Sequence, residues 1–191
     1  GERMPESWPV QGTTGYDFLT ITDGLFVASE NETSFTDFYR YFTAESTDYE
    51  AVLREKKRQV MDDLLGSDLN RLTELAMRVC LEHRRYRDYG RDEVERALTA
   101  IVACFPVYRT YVRAGLGEVG SADGEIIRTV VREATAQHPD IDAELFEFLE
   151  GVLLLEYPGD AERELVMRLQ QLTGPVMAKG AEDTAFYSYN R

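Results

Sequence analysis

The sequence predicts a mainly α-helical fold with a few short strands, and three observations carry that expectation. From residue 31 to residue 173 apolar side chains recur at three and four spacing, the period that gathers them on one face of a helix. Two runs break the period, Val107-Tyr108-Arg109-Thr110-Tyr111-Val112 and Pro175-Val176-Met177; the first is β-branched and aromatic, the second short and apolar, and both suit strands. Gly66, Gly90, Pro139 and Gly174 fall between the periodic stretches, where helices stop. Five parts follow: a loop and helix over 1–30, helices over 31–104, a strand over 105–113, helices over 114–173, and a strand with a polar-aromatic tail over 174–191.

In order, residues 1–15 hold Pro5, Pro9, Gly12 and Gly15 and predict an irregular loop. Residues 16–27 read as a helix through Phe18, Leu19, Thr22, Leu25 and Phe26. Phe35, Phe38, Tyr39 and Phe42 make one stripe on the next, which Asn31 can cap. Thr47 to Glu50 has the capping-box form, and Val52, Leu53, Val60 and Leu64 follow on a common face. Beyond Gly66, the set Leu69, Leu72, Ala76, Val79, Cys80 and His83 repeats at helical spacing. His83 sits on that apolar edge and reads as structural, since no nucleophile or acidic orienter stands at usable spacing. Asp92 opens a helix with Val94, Ala97, Leu98, Ile101 and Val102 inward, and Pro106 ends it. After a glycine-rich loop come helices over 125–137, 142–155 and 161–172. The second of these is apolar on nearly all sides, which predicts a central position.

A lone β-run among helices lacks neighbours within the chain. That fits a parallel strand whose partners lie elsewhere, so the expected architecture is a helical insertion plus part of a (β/α)8 barrel, excised from a larger enzyme. On such a strand Tyr108, Arg109 and Thr110 approach the end where barrel enzymes keep their active sites. Both termini fit an excised piece: Gly1 opens a turn without an initiator Met, and Arg191 follows an aromatic run directly.

Composition narrows the function. The 191 residues are 43% hydrophobic, enough for a core. Asp and Glu number 35 against 21 Lys and Arg, a net charge of -14, which argues against nucleic acid and anionic membrane as partners. No apolar run approaches the roughly 20 residues of a membrane span. The start, GERMPESWPV, lacks the basic and apolar regions of a secretion signal, so a cytoplasmic location is expected. Cys80 and Cys104 read as buried thiols. With His83 and His138 far apart, and no phosphate loop or zinc pattern, neither metal nor cofactor is expected.

The candidate site begins at the C-terminus, where Lys179, Glu182, Asp183 and Thr184 stand beside Phe186, Tyr187 and Tyr189. Charged groups among aromatic faces suit a neutral polyhydroxyl ligand, the rings covering a sugar's apolar face and the polar groups bonding its hydroxyls. The same residues also fit a polar turn entering a helix, with Glu182 and Asp183 at its N-terminus. Trp8 is either a stacking platform for a glucose ring or a plug at the edge of the core.

The run MAKGAEDTAFYSYN resembles a signature of maltooligosyl trehalose synthase, in the α-amylase-type glycoside hydrolase family. WPVQGTTGYDFL over 8–19 and FPVYRTYV over 105–112 resemble the same enzyme, in matching order. The resemblance implies an intramolecular transglycosylation (isomerase chemistry) that turns the reducing-end α-1,4 bond of a maltooligosaccharide into the α,α-1,1 bond of trehalose. It makes Trp8, Tyr16, Asp17, Tyr108, Arg109, Lys179, Glu182, Asp183, Phe186 and Tyr187 the substrate-binding candidates. Retaining glycoside chemistry needs two carboxylates about 5 Å apart. Glu182 and Asp183, adjacent, would diverge, while Asp17, Glu118 and Asp123 have no evident partner. The resemblance therefore implies that the nucleophile and general acid precede Gly1 and a third acid follows Arg191. The chain would then be wall and scaffold, inactive alone, and a homodimer covering its exposed apolar surface is a further expectation. The competing readings are a helical protein-interaction module and part of an amylase-type hydrolase.

Overall fold

Every described element is helical. The computed structural model describes residues 9–12, 15–44 and 48–189, with backbone alone at 16 and 17. The chain divides into an N-terminal unit up to Tyr49 and a larger unit from Glu50 onward.

The N-terminal unit contains α1 (Tyr16–Gly24), a 3-10 turn (Ser29–Asn31) and α2 (Glu32–Thr43). The apolar spacing yields helices here but little burial. Phe35, Phe38, Tyr41 and Phe42 of α2 are all exposed, and Thr36 is its one buried residue. Phe38 and Phe42, four apart, stack at 6.0 Å.

The larger unit runs through α3 (Tyr49–Asp63), α4 (Gly66–Glu82), α5 (Arg91–Cys104), a 3-10 turn (Ala114–Leu116), α6 (Ser121–Gln137), α7 (Ala143–Leu153) and α8 (Asp160–Met177). A π-helical turn (Ala178–Ala185) and the short α9 (Phe186–Ser188) complete it. Helices α4 to α8 close a ring in which each packs on the next and α8 returns to α4. The hub is α5, which touches α4, α6, α7 and α8. It can do so because Ala97, Ala100 and Ala103 recur every third residue and let neighbouring backbones approach, while Val94, Leu98 and Ile101 fill the space between. Each such large side chain, fully buried, contributes roughly 1.5–3 kcal/mol. The apolar α7, expected at the centre, is buried through Leu145, Phe146, Phe148, Leu149 and Val152, but it is one member of the ring.

The barrel expectation is overturned, because no strand or sheet occurs among the described residues. Residues 107–112 run as an irregular thread. Just beyond it, Arg113 and Glu118 form the one isolated antiparallel bridge among the described residues. Polar side chains from the helices satisfy its backbone instead. Gln170 Oε1 accepts from the Val112 N–H at 2.8 Å, Gln170 Nε2 donates to the Val112 carbonyl at 3.2 Å, and Asp123 accepts from the Tyr111 N–H at 3.1 Å. Strand propensity therefore lost to tertiary context.

The second expected strand is helix as well. Gly174 does not end α8, which continues through Pro175 to Met177. Proline costs the helix a hydrogen bond and crowds the preceding turn. Burial of Leu172, Thr173, Val176 and Met177 offsets that cost, and the disturbance resolves three residues later in the wider π-helical turn.

Candidate functional site

Two segments far apart in sequence meet in the larger unit. The 107–112 thread leaves the C-terminal end of α5, and the π-helical turn leaves the C-terminal end of α8. Tyr108 reaches across and its hydroxyl donates to Glu182 Oε1. On the same turn Lys179 Nζ donates to Asp183 Oδ2 at 2.6 Å. That carboxylate holds the lysine's pKa above its ordinary value. The π geometry shows in Thr184, whose hydroxyl donates at 2.7 Å to the carbonyl of Lys179, five residues back.

The aromatic rim lies just beyond. Phe186 and Tyr187 are 58% and 78% exposed, outside the core. Arg109 turns its guanidinium over the Tyr111 ring at 4.6 Å, a cation–π contact that leaves it on the thread's outer side. The thread and the turn thus bring a cation, carboxylates and a phenol hydroxyl together, with two exposed rings following in the chain.

Of the sequence-predicted residues, the structure brings Tyr108, Lys179, Glu182 and Asp183 together, with Phe186 and Tyr187 on the adjoining turn. Trp8 and the side chains of Tyr16 and Asp17 lie outside the described residues. Glu118 and Asp123, unpartnered in sequence, are engaged: Glu118 pairs with Arg113 at 2.7 Å and Asp123 bonds the Tyr111 amide. An open groove of about 560 Å³ between α4 and α8 includes Arg71, Arg78, Glu164, Arg168 and Pro175 in its lining, and none of the candidate residues borders it.

Two residues that sequence reasoning passed over stand out. Lys57, within the run Glu55-Lys56-Lys57-Arg58, is only 2% exposed and donates to the Phe105 carbonyl at 2.5 Å. Its place on the apolar face, four residues from Leu53 and three from Val60, is the signal that could have found it. Glu162 is likewise buried, and its Oε1 lies 2.7 Å from His83 Nε2. His83 therefore has the acidic partner that local spacing hid. The ring also meets Phe148 and Tyr157 edge-on at 5.3 and 5.0 Å. The hydroxyls of Tyr157 and Tyr86 lie 3.3 Å apart; that contact, with burial, pushes the Tyr157 phenol up to about 12. Gly159 is needed here, since a β-carbon would fall 1.8 Å from Glu162 Oε2. The pair joins the end of α4 to the start of α8, placing a carboxylate in the first turn of a helix, where it is favoured. It anchors the ring of helices.

The two cysteines are free and buried, as the sequence predicts. Burial pushes the Cys80 thiol up to about 11 and raises Cys104 as well. No group of three or more His, Cys, Asp or Glu suited to a metal ion occurs among the described residues. Among the described residues, no helix is long and apolar enough to cross a membrane.

The class that emerges is a helical module with a polar-aromatic surface cluster, distantly related to the maltooligosyl trehalose synthases. Over 186 residues the chain is 27% identical to the protein named "Putative maltooligosyl trehalose synthase" in two strains of Mycobacterium tuberculosis, CDC 1551 / Oshkosh and H37Rv. The matched region is 97% of this chain and 21% of each relative, so the chain spans about a fifth of the length of the curated relatives it matches. No family model matches the sequence, and no solved structure does.

Proposed function

We propose that the chain is a helical segment of an intramolecular transglycosylase that converts the reducing-end α-1,4 bond of maltooligosaccharides into the α,α-1,1 bond of trehalose. In this reading it supplies binding wall and scaffold, and the reacting carboxylates belong to other parts of a protein of its relatives' length. The observation that supports it is likeness along nearly the whole chain to proteins of that name, combined with the Tyr108–Glu182 and Lys179–Asp183 cluster.

The chemistry asks for such a wall. Once the α-1,4 bond is cleaved, the freed glucose must turn and present its own anomeric hydroxyl while water is kept away, or hydrolysis competes. Lys179 donates to sugar hydroxyls, Glu182 and Asp183 accept from them, and Phe186 and Tyr187 shield the sugar from solvent. Tyr108 and Arg109 complete the proposed contacts of this unit. Neither Glu182 nor Asp183 is assigned a bond-breaking role, since adjacent carboxylates diverge rather than face one another across a scissile bond.

The test is product analysis of the protein encoded by the full reading frame, acting on maltopentaose. Trehalose-ended oligosaccharide is expected, and Lys179→Ala should raise the share of free glucose. Free sugars alone from the unaltered protein would favour an amylase-type hydrolase. The exposed aromatic face of α2 favours a second reading, a helical protein-interaction module. A full-length product without activity on maltooligosaccharides would support that one.

A further inference from the structure

We propose that Lys57 is a positioning residue: from α3 it holds the 105–112 thread and the π-helical turn in the register at which Tyr108 meets Glu182. The proposal rests on the reading of those two segments as a sugar-binding wall.

The geometry is a three-sided frame. On one side Lys57 Nζ donates to the Phe105 carbonyl at 2.5 Å. Phe105 closes α5, its own N–H bonding back to Val102, so its carbonyl lies at the electronegative end of that helix, where an ammonium is favoured. Because Pro106 follows, the chain turns away there and begins the thread. On the second side the backbone of the π-helical turn rests directly on Lys57. A β-carbon added to Gly180 would lie 2.7 Å from Lys57 Cγ, 2.9 Å from its Cα and 3.2 Å from its backbone nitrogen. Only glycine permits that approach. The third side is the hydrogen bond from Tyr108 to Glu182. Tyr108 lies three residues beyond the carbonyl that Lys57 holds, and Glu182 two residues beyond the glycine it supports. One side chain thus reaches the root of both segments, and their tips meet.

A lysine is an expensive choice for packing alone. At 2% exposure its ammonium is stripped of water, and burial lowers its pKa to about 8. The titratable or charged groups acting on it are Glu50 and Arg54 of its own helix and Cys104 of α5; the turn presents the uncharged Gly180. A well-packed apolar residue would avoid the desolvation cost. What it cannot supply is a donor aimed at the Phe105 carbonyl.

That contrast separates positioning from stabilisation. Lys57→Met keeps the stem and removes donor and charge. For a positioning residue, the melting temperature of the 191-residue chain stays level or rises. Meanwhile amide hydrogen-exchange protection in residues 107–112 and 178–185 falls about ten-fold and that of α6 and α7 stays within about two-fold. Gly180→Ala, which forces the turn off α3, should loosen the same two segments. A parallel fall of melting temperature and of protection everywhere would make Lys57 a structural lysine and overturn the proposal; unchanged protection in the two segments would overturn it too. In the full-length gene product, Lys57→Met should raise KM for maltopentaose about ten-fold with a smaller change in kcat. An unaltered KM alongside loosened segments would remove the role in the site. Absence of any activity on maltooligosaccharides in the unaltered full-length protein would instead refute the sugar reading, leaving the exchange result to judge Lys57.

Discussion

Gln170 serves Val112 as a neighbouring strand would: its amide oxygen takes the Val112 N–H at 2.8 Å and its amide nitrogen gives to the Val112 carbonyl at 3.2 Å. The same oxygen also accepts from the Thr110 hydroxyl at 3.2 Å. Gln170→Leu would leave two buried backbone groups and a hydroxyl without these bonds. The expected cost is about 2–4 kcal/mol, read from urea unfolding. A loss below about 1 kcal/mol would mean that water or another side chain takes over.

The His83–Glu162 contact should behave as an anchor. His83→Ala removes the hydrogen-bond partner of Glu162 Oε1, while Oε2 already has none. Leaving that carboxylate buried and unmatched should cost about 3 kcal/mol. Glu162→Gln retains a hydrogen bond to the ring and should cost less. Equal losses from the two variants, measured by thermal unfolding, would show that the charge of Glu162 carries the effect and that the ring's packing on Phe148 and Tyr157 adds little.

Lys57 gives the fold a signature in alkali. Its folded pKa of about 8 lies below the ordinary 10.5, so between those values the unfolded chain binds more protons than the folded one. Stability from this group therefore rises as pH increases through that window, by at most about 3 kcal/mol. The gain is absent below pH 8, where both states carry the charge. In Lys57→Met the rise should vanish, as urea unfolding at pH 7.5 and 9.5 would show.

The buried thiols supply a simple check on the core. Cys80 and Cys104 are enclosed and their pKa values are raised by burial, so little thiolate is present to react at neutral pH. An aromatic disulfide reagent should modify neither in the folded chain and both in urea. Rapid labelling of Cys104 without denaturant would mean that the α5 end opens far more readily than its packing implies.

The helices were legible and the site only in part, for a physical reason. Leu69, Leu72, Ala76, Val79 and Cys80 repeat at a period that few other structures produce, and all are buried. Residues 107–112 carry strand-favouring types, yet a strand also needs an edge to pair with, and glutamine and aspartate side chains took that place. Gly174-Pro175 reads as a stop, but burial of Val176 and Met177 carried the helix past it. Tyr108 and Glu182 were each singled out, although their mutual contact, across 74 positions, has no local trace. Lys57 sits among charges that look solvated, and only its place on the apolar face betrays it.

The exposed rings of α2 bear on how the chain behaves in concentrated solution. Mutual repulsion from a net charge of -14 keeps copies apart at low ionic strength, but at molar salt it reaches only about 3 Å. Sulfate strengthens the attraction between apolar faces at the same time. With Phe35, Phe38, Tyr41 and Phe42 facing solvent, the chain should salt out early, and replacing Phe38 and Phe42 with serine should delay precipitation.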